Sequence, residues 1–170
     1  MAISLDGFIA TADGSVDWLS QIEISPEEMG YDDFFATVDA LVMGRKTFEQ
    51  VLSFGEWPYG SKPCWVMTHR LADLPVDPEQ AAIIATDKRP TQIVEEAQSR
   101  DMKHLWLVGG GQIASAFQDS HLISHYDICV LPILMGQGIS LFANAVDLKQ
   151  LTLTGNYPCE SGAVRLTYHA

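Results

Sequence analysis

The sequence predicts an α/β protein with a mixed, mostly parallel sheet. Two apolar, strand-like runs, Ala40–Met43 and Leu105–Val108, each lead through glycine into residues whose apolar positions recur at helical spacing. Between these runs strands and helices alternate, which favours parallel strands covered on both faces. From Ser124 onward the pattern changes to strands alone. We therefore expect the sheet to finish with antiparallel strands.

The composition indicates a globular chain that binds neither nucleic acid nor a membrane. Its 170 residues, 47% of them apolar, can bury a sizeable core, so we expect residues 1–170 to form one domain. The net charge of −12 opposes nonspecific binding to nucleic acid. No apolar run of about eighteen residues and no secretory pattern is present, which predicts a cytoplasmic protein. The three cysteines are too widely spaced for a zinc site or disulfide framework, so we expect reduced thiols and no metal.

The charges are unevenly distributed along the chain. Residues 1–44 contain nine Asp or Glu and no Lys or Arg, whereas eight of the ten basic residues lie between Arg45 and Lys103. An anionic ligand should therefore be held by the middle of the chain. The acidic first quarter is either a solvated surface or a site for a neutral or partly cationic group.

The first part of the chain predicts a short strand, two turns and a helix. Met1–Leu5 is an apolar strand that ends at Asp6-Gly7, and Asp13-Gly14 forms a second turn. Ser25-Pro26-Glu27-Glu28 has the pattern of a helix start with a capping box. The helix that follows has one apolar face, formed by Tyr31, Phe34, Phe35 and Val38. We expect it to pack beside the opening strand and turn.

The remaining elements follow from apolar runs and periodicity. Strands are predicted at Cys64–Thr68 and Ala81–Ala85, and a helix with inward Ile93, Val94 and Ala97 at Thr91–Asp101. The three final strands are predicted at Tyr126–Ile133, Leu148–Gly155 and Ala163–His169.

Two strand-to-helix turns favour a ligand with a diphosphate. In the first, Gly44 precedes Arg45, Lys46 and Thr47, which place two cations and a hydroxyl beside the free N–H groups of a helix start. In the second, Gly109–Gly111 allow a ligand to approach the main chain closely. Taken alone, the first turn is more often a plain surface helix start, and the triple glycine is as often a loop as a ligand site.

The ordered motifs resemble those of the dihydrofolate reductase-like superfamily, in particular the group related to the reductase domain of the riboflavin-biosynthesis deaminase-reductase. The resemblance rests on four blocks in the family's order: Ser4–Ala10, Val42–Glu49, Val108–Gly111 and Leu131–Gly138. It implies a three-layer α/β/α fold with a sheet of about eight strands. It also implies a reductase that binds NADPH at the carboxyl ends of the strands.

The resemblance also implies roles for individual residues. The cofactor phosphates would be held by Gly44, Arg45, Lys46 and Thr47, and from the other side by Gly109, Gly110, Gly111, Gln112 and Ile113. Thr68, His69 and Arg70 would lie at the adenosine end, with Arg70 or Arg45 on the 2′-phosphate. Ala2 and Ile9 would line the nicotinamide pocket. Phe8 stands in a block where riboflavin-pathway reductases usually have a lysine.

The catalytic and substrate-binding residues are less sharply indicated. Asp6, Asp32 and Asp33 are the candidate acids, although Asp6 can equally be a turn residue, and at least one of the helical pair must face solvent. Trp18, Phe35 and Trp57 are candidates for stacking on a flat substrate, or else for packing on the core.

Three hypotheses remain at this level. The first is an NADPH-dependent reductase, acting as a homodimer on a pterin, pyrimidine or flavin-like heterocycle. The second is a nucleotide-binding protein of the same fold without catalysis. The third is a structural dimer module.

Overall fold

A computed structural model describes residues 1–25, 27–71, 74, 82–142 and 148–170. The described strands are β1 (Ala2–Ser4), β2 (Phe8–Ala10), β3 (Ala40–Gly44), β4 (Cys64–Met67), β5 (Ile83–Thr86), β6 (Leu105–Gly109), β7 (His125–Leu131), β8 (Ile139–Ser140), β9 (Thr152–Pro158) and β10 (Val164–His169). The helices are α1 (Tyr31–Thr37), α2 (Arg45–Ser53), α3 (Pro90–Ser99) and α4 (Gly111–Asp119), with a 3₁₀ turn at Asp17–Gln21.

A parallel sheet with the order β5-β4-β3-β6 forms one half of the molecule. Successive side chains of β3 point to opposite faces, as in any strand. Leu41 and Met43 pack in a cluster with residues of α1 and α2, whereas Ala40 and Val42 pack with residues of α3 and α4. Helices therefore cover both faces, which confirms the predicted α/β class and its parallel core.

The other half is a sheet with the order β1-β7-β10-β9. β1 runs parallel to β7, and the pairs β7–β10 and β10–β9 are antiparallel, which confirms the predicted change of pattern after Ser124. A short antiparallel pair, β2–β8, lies apart. The eight strands of the two larger sheets are thus divided into four and four rather than joined in one sheet.

The helix start predicted at Ser25 is wrong, although its hydrogen bonds form. Glu28 N donates to Ser25 Oγ at 3.1 Å and Ser25 N donates to Glu28 Oε2 at 3.3 Å. The helix nevertheless begins only at Tyr31, because Gly30 has φ +57° and turns the chain. A Cβ on Gly30 would lie 2.9 Å from Nη1 of Arg165, which donates to the Met29 carbonyl. Pro26 lies outside the described residues.

The environment of α1 also differs from expectation. Its aromatic side chains meet Trp106 of β6 and Tyr59 instead of the opening strand, with ring centroids 5.1 Å apart for Phe34 and Trp106. This packing follows from the sheet order, because β6 is the edge strand next to α1.

Two predicted strands shift along the sequence. The strand expected at Leu148–Gly155 is β9, which begins at Thr152, since its pairing register with β10 runs from Thr152 opposite His169 to Pro158 opposite Val164. β5 begins at Ile83, and Ala81 lies outside the described residues.

The three cysteines are free, as predicted, and burial raises the pKa of Cys64 to about 12. Within the described residues, no helix is both long and apolar enough to cross a membrane.

Candidate functional site

The carboxyl ends of three adjacent parallel strands bring the predicted binding residues to one edge of the sheet. Gly44, at the end of β3, lies opposite Met67 of β4, and Met43 lies opposite Gly109 of β6. Loops that follow such strand ends form the usual ligand site of open α/β sheets. The three predicted segments, 44–47, 68–70 and 109–113, are therefore neighbours.

The two glycine turns are packed against each other. A Cβ on Gly44 would lie 3.1 Å from Cγ1 of Ile113, and a Cβ on Gly110 would lie 3.4 Å from Oγ1 of Thr47. Each turn thus touches the first helical turn of the other. Gly110 has φ +98°, a conformation that side-chain-bearing residues rarely adopt. The predicted pairing of the two turns is present in the structure.

The helix starts at this edge present polar groups of different kinds. α2 begins at Arg45 after Gly44, and α4 begins at Gly111 after Gly110, and neither Gly44 nor Gly110 provides a side-chain cap. The N–H groups in the first turn of a helix have no partner within the helix, and they favour a nearby anion. Lys46 and Gln112 are exposed at the two starts. Arg45 is partly buried, and its Nε contacts Glu49 Oε1 at 2.6 Å.

The segment after β4 forms a small polar turn. Arg70 N donates to Thr68 Oγ1 at 3.1 Å, and Thr68 N donates to the Thr86 carbonyl at 2.8 Å, which fixes the segment next to the end of β5. His69 and Arg70 are both exposed. Their side chains are thus accessible beside the first glycine turn.

Asp6 joins the turn after β1 to the loop that follows β7. Its carboxylate accepts hydrogen bonds from Ser4 Oγ at 2.6 Å and from Gly136 N at 2.7 Å, with Met135 N at 3.2 Å. The Ser4 hydroxyl and these backbone N–H groups hold the pKa of Asp6 below its ordinary value. An ionised carboxylate is a poor proton donor, so the geometry supports the turn role for Asp6 over an acid role.

The other two candidate acids lie on α1. Asp32 and Asp33 occupy its first turn. At least one of them was expected to face solvent, and both are exposed. The aromatic side chains of the same helix face inward instead. Among the described residues, no hydrogen bond links either carboxylate to the glycine turns, and their catalytic role stays a prediction.

The three candidate stacking residues pack against the core. Trp57 lies against Phe48 and Tyr59, with centroids 5.6 and 5.0 Å apart. Phe35 stacks on Tyr31 at 5.7 Å. Trp18 is 5% exposed and its Nε1 has no hydrogen-bond partner among the described atoms. This packing matches the core alternative, and their substrate role stays a prediction.

Ala2 and Ile9, predicted at the nicotinamide pocket, lie on β1 and β2. Ala2 pairs with Cys129 of β7. Sequence reasoning missed two residues, Ser4 and Met1. The Oγ of Ser4 accepts a hydrogen bond from Phe8 N at 2.9 Å and donates one to Asp6. The Cε of Met1 would lie 3.3 Å from a Cβ added to Gly109. The spacing of Ser4 and Asp6, two residues apart before a turn, is the signal that could have revealed their hydrogen bond.

An α/β fold with paired glycine turns at the carboxyl ends of a parallel core is that of a dihydrofolate reductase-like protein. Comparison with known families is more specific. The profile of the RibD C-terminal domain matches residues 1–164, and the chain belongs to this family.

Individual relatives agree with this assignment. The uncharacterized protein YwjB of Bacillus subtilis (strain 168) is 31% identical over 156 residues, which cover 91% of this chain and 87% of that protein. A putative riboflavin biosynthesis protein from Shewanella sp. PV-4 superposes with a TM-score of 0.88 at 29% identity, covering 99% of this chain and 95% of that one. A deaminase and 5-amino-6-(5-phosphoribosylamino)uracil reductase from Thermotoga maritima shares the fold, with a TM-score of 0.72 at 15% identity, covering 99% of this chain and 54% of that one.

Proposed function

We propose that this protein is an NADPH-dependent reductase that transfers hydride to a small planar heterocycle. The observation that carries the proposal is the contact between the two glycine turns, one with cations and one without, at adjacent strand ends. Two helix starts so close together suit the two phosphates of a dinucleotide better than a single anion.

The residues present fit the cofactor. Gly44 and Gly110 allow the two turns to pack closely, because a Cβ on either residue would crowd Ile113 or Thr47. The main-chain N–H groups of both helix starts would therefore lie close enough to bind one diphosphate. Lys46 and the exposed Arg70 would neutralise phosphate charge, and a guanidinium can contact a 2′-phosphate at two points. The whole chain has a net charge of −12, so these cations make this edge of the sheet different from the chain as a whole and suited to an anion.

Family membership supports the proposed class of substrate. The Thermotoga maritima relative is a reductase of a uracil derivative. The present chain has Phe8, not a lysine, in the block after β1, and Phe8 is half-buried on β2. We therefore propose a pyrimidine, pterin or flavin-like ring whose binding does not require an ammonium at this position.

Hydride transfer requires little acid–base machinery. NADPH would supply the hydride, and the chain would orient the two rings and exclude water. The Asp6 carboxylate is held ionised by its hydrogen bonds and would position the loop at Met135–Gly136 rather than give a proton. The proton would come from bound water or from another acid.

A second candidate is a protein that binds NADP(H) without catalysis. It is favoured by one observation: Asp6 is engaged as an acceptor, and Asp32 and Asp33 are exposed. This candidate shares the cofactor site and differs only in turnover.

The test is a titration of NADPH and of NADH, followed by a search for turnover. We expect saturable binding of NADPH, and loss of nicotinamide absorbance with at least one member of a panel of pyrimidines, pterins, flavins and quinones. Binding without turnover on the panel would favour the second candidate. If folded protein binds neither nucleotide, both candidates are wrong.

A charge-matched pair of variants locates the site. Arg70→Ala removes an exposed cation at the proposed adenosine end. Lys103→Ala removes an exposed cation that lies just before the start of β6, at the other end of this strand from the glycine turn, and serves as the control. Arg70→Ala should weaken NADPH binding by about tenfold, the effect of losing a charge-assisted contact, and should leave NADH binding unchanged. Lys103→Ala should change neither. Equal effects of both variants would contradict the proposed site.

A further inference from the structure

Two histidines face each other across strands β7 and β10. His125 is the first residue of β7 and His169 is the last residue of β10, and the antiparallel register places them directly opposite each other. Both residues are exposed. Neither belongs to the glycine turns or to the other segments of the proposed cofactor site. The pair is therefore a cluster of chemically capable side chains to which the proposed function gives no role.

The hydrogen-bond pattern between the two strands brings these side chains close together. In an antiparallel pair, opposite residues alternate between those that exchange main-chain hydrogen bonds and those that do not. Ala170 N donates to the Ser124 carbonyl at 2.9 Å, so the neighbouring pair is of the first kind. His125 and His169 are therefore of the second kind, in which the Cα atoms approach to about 4.5 Å and the side chains lie closer.

The spacing of the two imidazole rings suits two ligands of one metal ion. The ring centroids are 4.8 Å apart and the ring planes lie at 80° to each other. With metal–nitrogen distances of about 2.0–2.1 Å, two imidazoles at neighbouring corners of a square or tetrahedral site have centroids about 4.5–5.2 Å apart. The observed spacing lies within this range. The rings therefore need to rotate about their side-chain bonds, but the two strands do not need to move.

Ser124 orients one of the two rings. Its Oγ lies 3.0 Å from Nδ1 of His125, within hydrogen-bond distance. A histidine that binds a metal usually makes a hydrogen bond through its other ring nitrogen, and this bond fixes the orientation of the ring. Because Nδ1 of His125 is engaged by the hydroxyl, Nε2 is the nitrogen that would bind the ion.

The donor atoms define the class of ion. Within the described part of the chain, no group of three or more His, Cys, Asp or Glu side chains could hold a metal, so the site would have two protein ligands. Asp127 lies two residues further along the same face of β7, but its carboxylate accepts hydrogen bonds from Arg165. Imidazole suits Cu²⁺, Ni²⁺ and Zn²⁺, whereas Mg²⁺ and Ca²⁺ prefer oxygen ligands. Water or a small chelator would occupy the remaining positions on the ion.

We propose that His125 and His169 form a surface site for one divalent transition-metal ion that prefers imidazole, with Cu²⁺ bound most tightly, and that the bound ion links β7 to β10. Once one imidazole binds the ion, the second is held nearby at a high effective concentration, so the pair binds more tightly than either histidine alone. The proposal does not depend on the proposed reductase activity.

The test is a calorimetric titration of the 170-residue chain, without a histidine tag, with the Cu²⁺ complex of iminodiacetate. We expect one ion to bind per chain. His125→Gln and His169→Gln should each weaken this binding by about tenfold or more, because each removes one of two linked ligands. His121→Gln is the matched control, since it makes the same change at an exposed histidine between α4 and β7. The control should bind the complex as tightly as the unsubstituted chain.

A second measurement uses only the unsubstituted chain, and it covers the case in which a variant does not fold. Zn²⁺ should shift the imidazole NMR signals of His125 and His169 more than those of the other three of the five histidines, and Mg²⁺ should shift none of them. Shifts spread evenly over the five histidines would overturn the proposal. Equally tight binding by the unsubstituted chain and both strand variants would also overturn it, and so would an equal loss of binding in His121→Gln.

Discussion

The two sheets of this protein differ in how completely their strands are covered. In the parallel sheet, four of the five residues of β3 are buried, whereas six of the seven residues of β9 in the other sheet are exposed. The parallel half is therefore a well-packed sheet, and its strand ends hold the glycine turns in fixed positions. The outer strand of the antiparallel half, β9, is mostly exposed to solvent. We therefore expect the stability of the protein and the proposed cofactor binding to depend mainly on the first half.

The largest expected effect compares the same substitution in the two halves. Leu41→Ala in β3 removes a side chain that is fully buried, and Leu153→Ala in β9 removes one that is 53% exposed. Leu41→Ala should lower the free energy of unfolding by about 3–5 kcal/mol because it leaves a cavity. Leu153→Ala should change it by no more than about 0.5 kcal/mol. Urea denaturation measures both, and similar losses would contradict the contrast.

The next prediction separates backbone strain from cofactor binding. Gly110 and Gly55 both have positive φ, at +98° and +119°, but only Gly110 lies at the paired turns. Gly110→Ala and Gly55→Ala should each cost about 1–3 kcal/mol of stability, since alanine is strained there. Only Gly110→Ala should weaken NADPH binding, by about tenfold, because it tilts the N–H groups of the turn. An equal loss of affinity in Gly55→Ala would show that strain alone, and not the site, controls binding.

The smallest effect concerns Asp6 and pH. Its folded pKa lies below the ordinary value of 3.8, so its hydrogen bonds stabilise the folded state above about pH 4 and are lost as the pH falls through the lowered pKa. Asp6→Asn should therefore destabilise the protein at pH 7, and the difference from the unsubstituted chain should shrink below pH 4. Asp32→Asn, an exposed change of the same kind on α1, is the control for net charge. A pH-independent difference would contradict the assigned hydrogen bonds.

The sequence predicted the parallel half well because its signals are local. The run Ala40–Met43, the glycine after it and the helical spacing of Phe48 and Val51 each identify β3 or α2 without distant information. The contact between Thr47 and Gly110 also follows, since parallel strand ends meet at one edge.

The features that the sequence did not predict depend on distant contacts. The turn at Gly30 that precedes α1 contacts Arg165, which is far from it along the chain and whose Nη1 donates to the Met29 carbonyl. The hydrogen bonds that Asp6 accepts from Met135 N and Gly136 N come from a loop 129 and 130 residues away. Likewise, the division of the described strands into two sheets depends on which strands pair, and no local pattern reports that pairing.

Amide hydrogen exchange with and without NADPH tests the central claim most directly. The account predicts that saturating NADPH slows exchange in segments 44–47 and 109–113, at the paired turns of the parallel half, and leaves residues 152–158 of β9 unchanged. No protection at either turn, or protection confined to the antiparallel half, would contradict it.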